Sequence, residues 1–311
     1  QMSSSPTVSN SYKSFTIKPK SDLSKNLVYQ IRLTTGVKDS SDNALSSQYD
    51  TSSGFRTSSP SETYQLGTSL DDYGKAVVVD SSNNIYVVGR TSGELDGNSN
   101  SGDTDIFLVK YSYSGSKLWI TQWGTSSPDY GTGVAVDSLG NIYVVGNIDD
   151  TDNNTNSILL KYNTSGIKQW TVYFESPIGG LADVAVDSSD NIYVIGGNTI
   201  LESYYEDNYG NRLQLYLAKY NSSGTKQFSV LSFEGGHVNS GYGIAVDSSD
   251  NIFVTGSTRT KDRNLNYNSG YFIRKFDSSG NRTWGQNSGV EGYGRDVFVD
   301  SSDNVYMTGY V

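Results

Sequence analysis

The chain contains no cysteine and only one histidine among its 311 residues. Disulfides, thiol catalysis and cysteine metal sites are therefore excluded, as is a metal site built from several histidines. A Ser-His-Asp triad would have to use His237, which lies in Glu234-Gly-Gly-His-Val-Asn239 with no nucleophile motif nearby. We interpret His237 as an ordinary loop residue.

Runs of positive charge and long apolar runs are also absent. The formal net charge is -10, and no cluster of Lys or Arg provides the electrostatic footprint that nucleic acid or anionic lipid requires. No stretch approaches the roughly 18 apolar residues of a membrane span, and the first residues lack the pattern of a signal peptide. We expect no nucleic-acid partner and no membrane insertion, and an export signal would have to lie upstream of Gln1.

The sequence does contain one unit that occurs five times. The segment Val79-Asp-Ser-Ser-Asn-Asn-Ile-Tyr-Val-Val-Gly89 returns at 136–146, 186–196, 246–256 and 299–309. The aspartates in second position, called anchor aspartates below, are Asp80, Asp137, Asp187, Asp247 and Asp300, with spacings of 57, 50, 60 and 53 residues. That period is typical of a four-stranded propeller blade.

Each repeat contains four short β patterns. In the second repeat, strands are predicted at 131–137, at 142–146, at 157–162 and around Trp170. The third and fourth strands are joined by a tight turn with Gly in its last position, where a positive φ is easiest. Such a meander buries its two faces only when blades stack on one another, so we predict an all-β propeller of about five blades in this chain.

The repeat resembles the SBBP type of bacterial β-propeller repeat. Residues 243–256 match the first half of that signature, G-x-A-V-D-S-x-G-N-x-Y-V-T-G, and residues 105–119 match the second, D-x-F-x-x-K-Y-x-x-x-G-x-x-x-W. The resemblance implies an exported or surface-attached bacterial protein, and the family name implies a parent of seven blades.

Residues 1–59 lack the repeat, so the predicted domains are 1–59 and 60–311. The stretches 15–23, 28–39, 43–45 and 55–57 resemble the C-terminal half of a bacterial Ig-like domain. The first strands of such a sandwich are missing, so this segment is a fragment or packs differently from the family. The fifth repeat stops after its second strand, and Tyr64-Gln-Leu-Gly67 resembles a fourth strand. We expect a chain truncated at both ends and an incompletely closed ring.

Two kinds of segment could bind a cation. The anchor aspartates begin tight turns, where Asp and Asn hydrogen-bond the backbone, and we interpret them as structural. Two acidic loops, 94–105 and 149–156, are richer in oxygen ligands. Asp150, Asp152 and Asn154 alternate in the second loop and are the candidate ligands for calcium, against the alternative of solvated polar loops. No other cofactor is predicted.

Successive turns of a meander alternate between the two ends of a blade, which predicts one end with short repetitive turns and one with variable loops. The predicted variable loops are 91–104, 147–156, 197–213 and 257–270. Function is usually carried by variable loops on a rigid scaffold. Tyr204, Tyr205, Tyr209 and Tyr267 lie in them and are the candidate ligand-binding residues.

These observations predict a noncatalytic binding, adhesion or structural module of an extracellular or cell-surface bacterial protein, with a protein or glycan ligand. No catalytic residue is predicted. Two alternatives remain: a lectin that binds glycan through aromatic platforms and Asn or Asp side chains, and a glycan-active enzyme with carboxylates assembled across blades.

Overall fold

The computed structural model describes residues 65–149, 155–174, 178–200, 212–232, 238–261, 267–288 and 290–310, together with six short strands before residue 65. The chain divides into two compact units, Gln1–Tyr64 and Gln65–Val311. In the first unit three antiparallel pairs are formed: β1 (Thr7–Ser9) with β2 (Ser14–Thr16), β3 (Val28–Tyr29) with β6 (Phe55–Arg56), and β4 (Arg32–Leu33) with β5 (Tyr49–Asp50).

The second unit consists of antiparallel sheets whose strands follow one another in chain order, and each sheet is one blade. Blade one contains β7 (Asp72–Val79), β8 (Ile85–Thr91), β9 (Asp105–Tyr111) and β10 (Lys117–Trp123). Blade two contains β11 (Asp129–Val136), β12 (Ile142–Asp149), β13 (Thr155–Tyr162) and β14 (Lys168–Phe174). Blade three contains β15 (Ile178–Val186), β16 (Ile192–Ile200), β17 (Arg212–Tyr220) and β18 (Lys226–Ser232).

Blade four contains β19 (Val238–Val246), β20 (Ile252–Lys261), β21 (Tyr267–Phe276) and β22 (Arg282–Asn287), and blade five contains β23 (Tyr293–Val299) and β24 (Val305–Tyr310). A 3-10 helix at Leu95–Gly97 is the one helical element of the described residues, in which no helix is long and apolar enough to cross a membrane. The predicted all-β fold of four-stranded antiparallel blades is confirmed.

The first and second strands of every blade are joined by a tight turn. In blade two, the Asp137 N–H donates to the Asn141 carbonyl at 3.0 Å, and the Gly140 N–H donates to the Asp137 carbonyl at 3.0 Å. The fourth turn residue has a positive φ, +80° at Gly140 and +61° at Asp190, which Gly and Asp tolerate. The predicted positive φ of the glycine between third and fourth strands is confirmed, at +78° in Gly166.

This topology gives the blades two different ends. The end that carries the tight turns is called the turn end, and the end that carries the second-to-third and fourth-to-first connections is called the variable end. Strands extend further toward the variable end than predicted. β20 and β21 pair as far as Lys261 and Tyr267, so Tyr267 begins a strand and the predicted loop 257–270 is shorter. Long pairing is favourable here because each added residue adds ladder hydrogen bonds.

Apolar side chains between neighbouring blades form the core. Tyr86 and Leu108 of blade one pack with Val134 and Leu160 of blade two in one buried cluster. Equivalent clusters join blades two and three and blades three and four. Each fully buried side chain of this size contributes about 1.5–3 kcal/mol, so the stacking of blades stabilises the unit.

The two outermost blades each expose a face that the inner blades bury. Val77 of blade one is 64% exposed, whereas its equivalent Val134 is 7% exposed. Phe298 of blade five is 63% exposed. Among the described strands, β7 does not pair with blade five.

The prediction of a fourth strand at 64–67 is wrong for residues 65–67, the part that the structure describes. Residues 65–68 have no strand structure. Leu66 instead packs against the buried cluster of Leu95, Phe107 and Val109, which covers apolar surface without a hydrogen-bond ladder.

Candidate functional site

The first strand of every blade contains a β-bulge at the same position. The pairing register shifts between Gly74 and Ala76 in blade one and between Gly131 and Gly133 in blade two. It shifts at the equivalent places in blades three, four and five. The extra residues are Lys75, Thr132, Ala182, Tyr242 and Arg295. A bulge re-aims a side chain and is over-represented beside functional sites.

These five bulge residues line an axial cavity of about 540 Å³, together with two acidic residues that follow them, Asp183 and Asp296. The residues that the first strands contribute to its wall lie four to seven positions before the anchor aspartates. The cavity therefore lies in the half of the propeller nearer the variable end. Its wall contains two cations, two carboxyl groups and a phenol.

Asp183 joins two blades inside the cavity wall. Its Oδ1 accepts a hydrogen bond from the Val184 N–H at 2.9 Å, and its Oδ2 accepts one from the Ile244 N–H of blade four at 3.1 Å. Burial raises the pKa of Asp183 to about 7, and the charge of Asp296 acts in the same direction, while the two N–H donors and Lys75 oppose it. The carboxyl group is thus held in place by backbone and titrates near neutral pH.

Glycines make room for the two aspartates. A Cβ on Gly133 of blade two would lie 2.8 Å from Oδ1 and 2.9 Å from Cα of Asp183. A Cβ on Gly243 of blade four would lie 2.7 Å from Cα of Asp296. Because Gly133, Asp183, Gly243 and Asp296 occupy equivalent positions, glycine and aspartate alternate around the axis from blade two to blade five.

Arg295 connects the cavity to aromatic side chains of blade five. Its guanidinium donates to the Tyr310 hydroxyl at 3.1 Å and lies 5.1 Å from the centre of that ring. It also lies 5.5 Å from the Tyr242 ring of blade four. Such cation–π contacts orient the guanidinium. Within the described residues it donates no hydrogen bond besides the one to Tyr310, so its remaining N–H groups can donate to a ligand.

At the turn end, the anchor aspartates have a structural role. Asp137 Oδ1 accepts from the Leu139 and Asn141 N–H groups at 3.0 and 2.8 Å, and Oδ2 accepts from Asn141 Nδ2 and the Tyr143 hydroxyl at 2.8 and 3.0 Å. The same set of bonds is formed by Asp80. This pattern supports the structural interpretation of these residues.

Neighbouring turns are also linked to each other. The Ser138 N–H and hydroxyl donate to the Asp190 carboxylate at 2.9 and 2.8 Å. Ser188 bonds Asp250 in the same way, and Ser248 bonds Asp303. The positive-φ aspartates Asp190, Asp250 and Asp303 therefore link each of blades three to five to the preceding blade by hydrogen bonds.

The predicted binding residues lie mainly outside the described part of the chain. Tyr204, Tyr205 and Tyr209 lie there, as do the candidate calcium ligands Asp150, Asp152 and Asn154. The backbone of Tyr267 begins β21, as stated above.

The ends of the two acidic loops converge on Asp129. Burial raises the pKa of Asp129 to about 6, and the charges of Asp105 and Asp149 add to this effect against the hydrogen bonds from Thr125. Asp105 Oδ1 is buried without a hydrogen-bond partner among the described atoms. No group of three or more His, Cys, Asp or Glu is arranged to hold a metal ion within the described residues.

The bulge residues were missed by the sequence interpretation. Their signal is visible once the repeats are aligned on the anchor aspartates, because the fifth position before each aspartate varies, whereas the sixth is Gly in four of the five repeats. The bulge that directs these side chains toward the axis is a register shift between the first and second strands, and an alignment of the repeat sequences does not show this pairing.

Comparison with known families gives two matches. The β-propeller repeat family SBBP matches residues 63–96, 118–153 and 225–261. The bacterial Ig-like domain family Big_5 matches residues 1–57. Both resemblances inferred from the sequence are confirmed.

Two individual proteins are similar to part of the chain. An uncharacterized WD repeat-containing protein, L264 of Acanthamoeba polyphaga mimivirus, is 32% identical in an alignment of 120 residues, and the match covers 31% of this chain and 9% of that protein. Regulatory protein FlaEY of Caulobacter vibrioides is 25% identical in an alignment of 139 residues, and the match covers 37% of this chain and 14% of that protein. The chain thus spans a small part of both relatives.

Among solved structures, a protein of unknown function from Dyadobacter fermentans has a TM-score of 0.53 and 11% identity. The match covers 78% of this chain and 77% of that chain. At this identity the likeness concerns the fold alone.

Proposed function

Because SBBP β-propeller repeats match three segments of the chain and a bacterial Ig-like domain matches residues 1–57, we propose that the chain is a noncatalytic binding or adhesion module of a secreted or surface-attached bacterial protein. Its ligand is a protein or a glycan. The ligand binds at the variable end, at the mouth of the axial cavity.

The observation that carries this proposal is the variety of side chains at one repeated bulge. Five equivalent positions carry Lys75, Thr132, Ala182, Tyr242 and Arg295, whereas the turn end repeats nearly the same residues in every blade. A rigid repeated frame with varied side chains at one place is typical of a recognition surface.

The chemistry of the cavity suits a ligand rich in hydrogen-bonding groups. Lys75, Arg295 and Asp296 are exposed. Asp296 Oδ1 accepts a hydrogen bond from the Val297 N–H, whereas Oδ2 accepts none within the described residues. Ammonium, guanidinium, carboxylate and phenol groups together donate to and accept from hydroxyl and amide groups. Sugar hydroxyls and peptide amides both meet this description.

One observation favours the alternative of a glycan-active enzyme. Asp183 has a pKa raised to about 7 by burial, a value that suits a general acid. Against this alternative, both of its oxygens already accept backbone N–H groups. An occupied carboxyl group of this kind supports the blade junction, so binding without catalysis is favoured.

A binding screen with matched variants tests the proposal. The full chain is applied to a glycan array and to a panel of purified extracellular-matrix proteins, and hits are measured by calorimetry. We expect Lys75→Ala/Arg295→Ala to weaken binding at least tenfold, and Tyr204→Ala/Tyr205→Ala to weaken it as well.

The control is Lys168→Ala/Lys226→Ala, which removes the same charge from two exposed residues at the turn end. Equal loss in both double variants would show that net charge, and no site at the variable end, governs binding. Release of reducing sugar from a polysaccharide by the purified chain would favour the enzyme instead.

A further inference from the structure

Arg90 is the second-to-last residue of β8, at the variable end of blade one. It pairs with Tyr73 of β7 and with Ile106 of β9, so it lies in the middle of its sheet. Its equivalent in blade two is Asn147, which forms hydrogen bonds of 2.9 and 3.2 Å with the N–H and the carbonyl of Leu181 in the next blade. The side chain at this position thus reaches the neighbouring blade.

Two tyrosine rings hold the guanidinium of Arg90 between blades one and two. Its Cζ lies 4.5 Å from the centre of the Tyr73 ring and 5.0 Å from the centre of the Tyr130 ring, which comes from the first strand of blade two. A guanidinium this close to an aromatic face is attracted by the quadrupole of the ring. Both blades have all four strands, and these contacts orient the cation without using any of its N–H groups.

The N–H groups of Arg90 have no protein acceptor in the described part of the chain. Arg90 is half-buried, yet it donates no hydrogen bond and forms no ion pair there. Other cations of the repeat link elements: Lys219 and Lys275 each lie 3.3 Å from an anchor aspartate, and Lys161 donates to the Ser222 carbonyl at 2.9 Å. An oriented guanidinium whose donors are unused matches the two oxygens of a carboxylate.

The surroundings of Arg90 are acidic. Burial raises the pKa of Tyr130, and the charges of Asp149 and Asp103 act in the same direction, while Arg90 opposes them. Both carboxylates are therefore close to the Tyr130 ring, and Asp103 is exposed. A ligand with several negative charges is repelled here, whereas hydroxyl groups can donate to a carboxylate. These surroundings favour a ligand that has one carboxylate and many hydroxyl groups.

We propose that Arg90 binds the carboxylate of an acidic sugar, a uronic or sialic acid residue of a glycan, at the junction of blades one and two. The inference rests on the proposed function and names the ligand of the variable end more closely. The edge of the guanidinium donates two parallel hydrogen bonds to the carboxylate, and Asp103 accepts a hydrogen bond from a sugar hydroxyl. The rings of Tyr73 and Tyr130 keep the guanidinium in the required orientation.

The site adjoins the axial cavity. Asn147, the blade-two equivalent of Arg90, lines that cavity together with Thr132, and Thr132 follows Tyr130 closely in β11. A glycan at the mouth of the cavity can therefore contact the bulge residues with one sugar and Arg90 with a neighbouring sugar.

A purely structural role would require a different arrangement. Asn147 satisfies the N–H and the carbonyl of Leu181, so its replacement would leave backbone groups unpaired. Arg90 satisfies no backbone group of the described residues, and its replacement leaves no polar group of the core without a partner. We therefore expect variants of Arg90 to keep their fold, which makes binding the sensitive measurement.

The probe is a glycan array on which glycans ending in glucuronic, galacturonic or sialic acid are each printed beside their carboxyl methyl esters. The full chain is applied, and the pair with the strongest signal is measured by calorimetry. We expect the acid to bind at least tenfold more tightly than its ester. Arg90→Gln should remove this preference and leave the affinity for the ester unchanged. Arg90→Lys keeps the charge but lacks the planar fork, and should recover only part of the preference.

The matched control is Lys226→Gln, which removes one positive charge from an exposed residue at the turn end and should leave the preference for the acid unchanged. The same loss of preference in this control would show that net charge governs binding and would overturn the inference. Thermal unfolding is measured for each variant. If Arg90→Gln unfolds at a lower temperature than the control, the ratio of acid to ester affinity in Arg90→Lys decides, and an unchanged ratio overturns the inference.

Failure of this inference is distinguishable from failure of the proposed function. Equal binding of acid and ester, in a chain that still binds glycans or matrix proteins, overturns the acidic sugar alone. Absence of every hit among glycans and matrix proteins overturns the proposed function and the inference together. Binding of a tetraglutamate peptide or of inorganic phosphate that disappears in Arg90→Gln, without binding of the acidic sugars, would identify a different anion as the ligand and overturn the sugar.

Discussion

The anchor aspartate of blade two provides a direct measure of what holds a blade together. Asp137 is 7% exposed and accepts four hydrogen bonds, one of them from the hydroxyl of Tyr143. Tyr143 is 0% exposed. Asp137→Ala removes the turn acceptor and leaves this hydroxyl in the core without a partner.

The expected loss of stability combines two contributions. An unsatisfied buried hydroxyl costs about 1–3 kcal/mol, and the lost hydrogen bonds of the turn cost about 1 kcal/mol more. We therefore expect Asp137→Ala to lower the free energy of unfolding by about 3 kcal/mol, measured by urea denaturation followed by circular dichroism. Asp137→Asn keeps one acceptor oxygen, so its free energy of unfolding should lie between those of the unchanged protein and Asp137→Ala.

Asp300→Ala is the matched control. Asp300 accepts the same four bonds in blade five, but its tyrosine partner is exposed, so water replaces the lost acceptor. We expect a clearly smaller loss than in Asp137→Ala. Equal losses would refute the argument from burial. A calcium-dependent stability that disappears in Asp137→Ala would refute the structural role and restore the cation interpretation.

Two further predictions concern the blade junctions around the axis. Gly133→Ala should lower the free energy of unfolding by about 1–3 kcal/mol, because the added Cβ would meet the backbone of Asp183. Gly74→Ala should be near neutral, because the atom nearest to its added Cβ would be 3.7 Å away. Unfolding midpoints of the two variants test both expectations, and equal effects would contradict the close approach of Gly133 to Asp183. The second prediction is a pH dependence, since the pKa of Asp183 is raised to about 7 from 3.8 in the unfolded chain. The folded state then binds the proton more tightly, so the stabilisation by protonated Asp183 is fully present below about pH 4 and is lost as the pH rises toward 7. Asp183→Asn should reduce the fall in the free energy of unfolding between pH 4 and 7, to which Asp129 with its pKa raised to about 6 also contributes, and an unchanged pH profile would show that Asp183 ionises normally.

Much of the fold follows from local sequence. Two tight turns of each complete blade are specified by a few residues each. The first is formed by the anchor aspartate and the Ser-Ser-Asp-Asn or related residues after it, through hydrogen bonds. The second depends on a glycine with a positive φ, which is Gly166 in blade two. Because the first of these turns recurs five times and the second four times with the strand pattern, they determine the number of repeats and the strand order in each blade. The two family resemblances are carried by the same local motifs.

Contacts between blades decided the rest. Residues 65–67 match a fourth strand in sequence, yet Leu66 instead packs on a buried cluster, because pairing needs a partner strand in the right place. The axial bulge residues acquire a common direction only when the first strand pairs with the second. The candidate tyrosines Tyr204, Tyr205 and Tyr209 stay a prediction.

The sequence by itself determined that this protein is a propeller of similar blades, since each turn and strand is specified by its own few residues. Only the tertiary structure decided which copies of the repeated motif are buried between blades and which are exposed. Tyr143 and Tyr306 lie in the same local motif, but one is buried and the other exposed. Their difference comes from the strands and blades beside them, and burial depends on those neighbours more than on the motif itself.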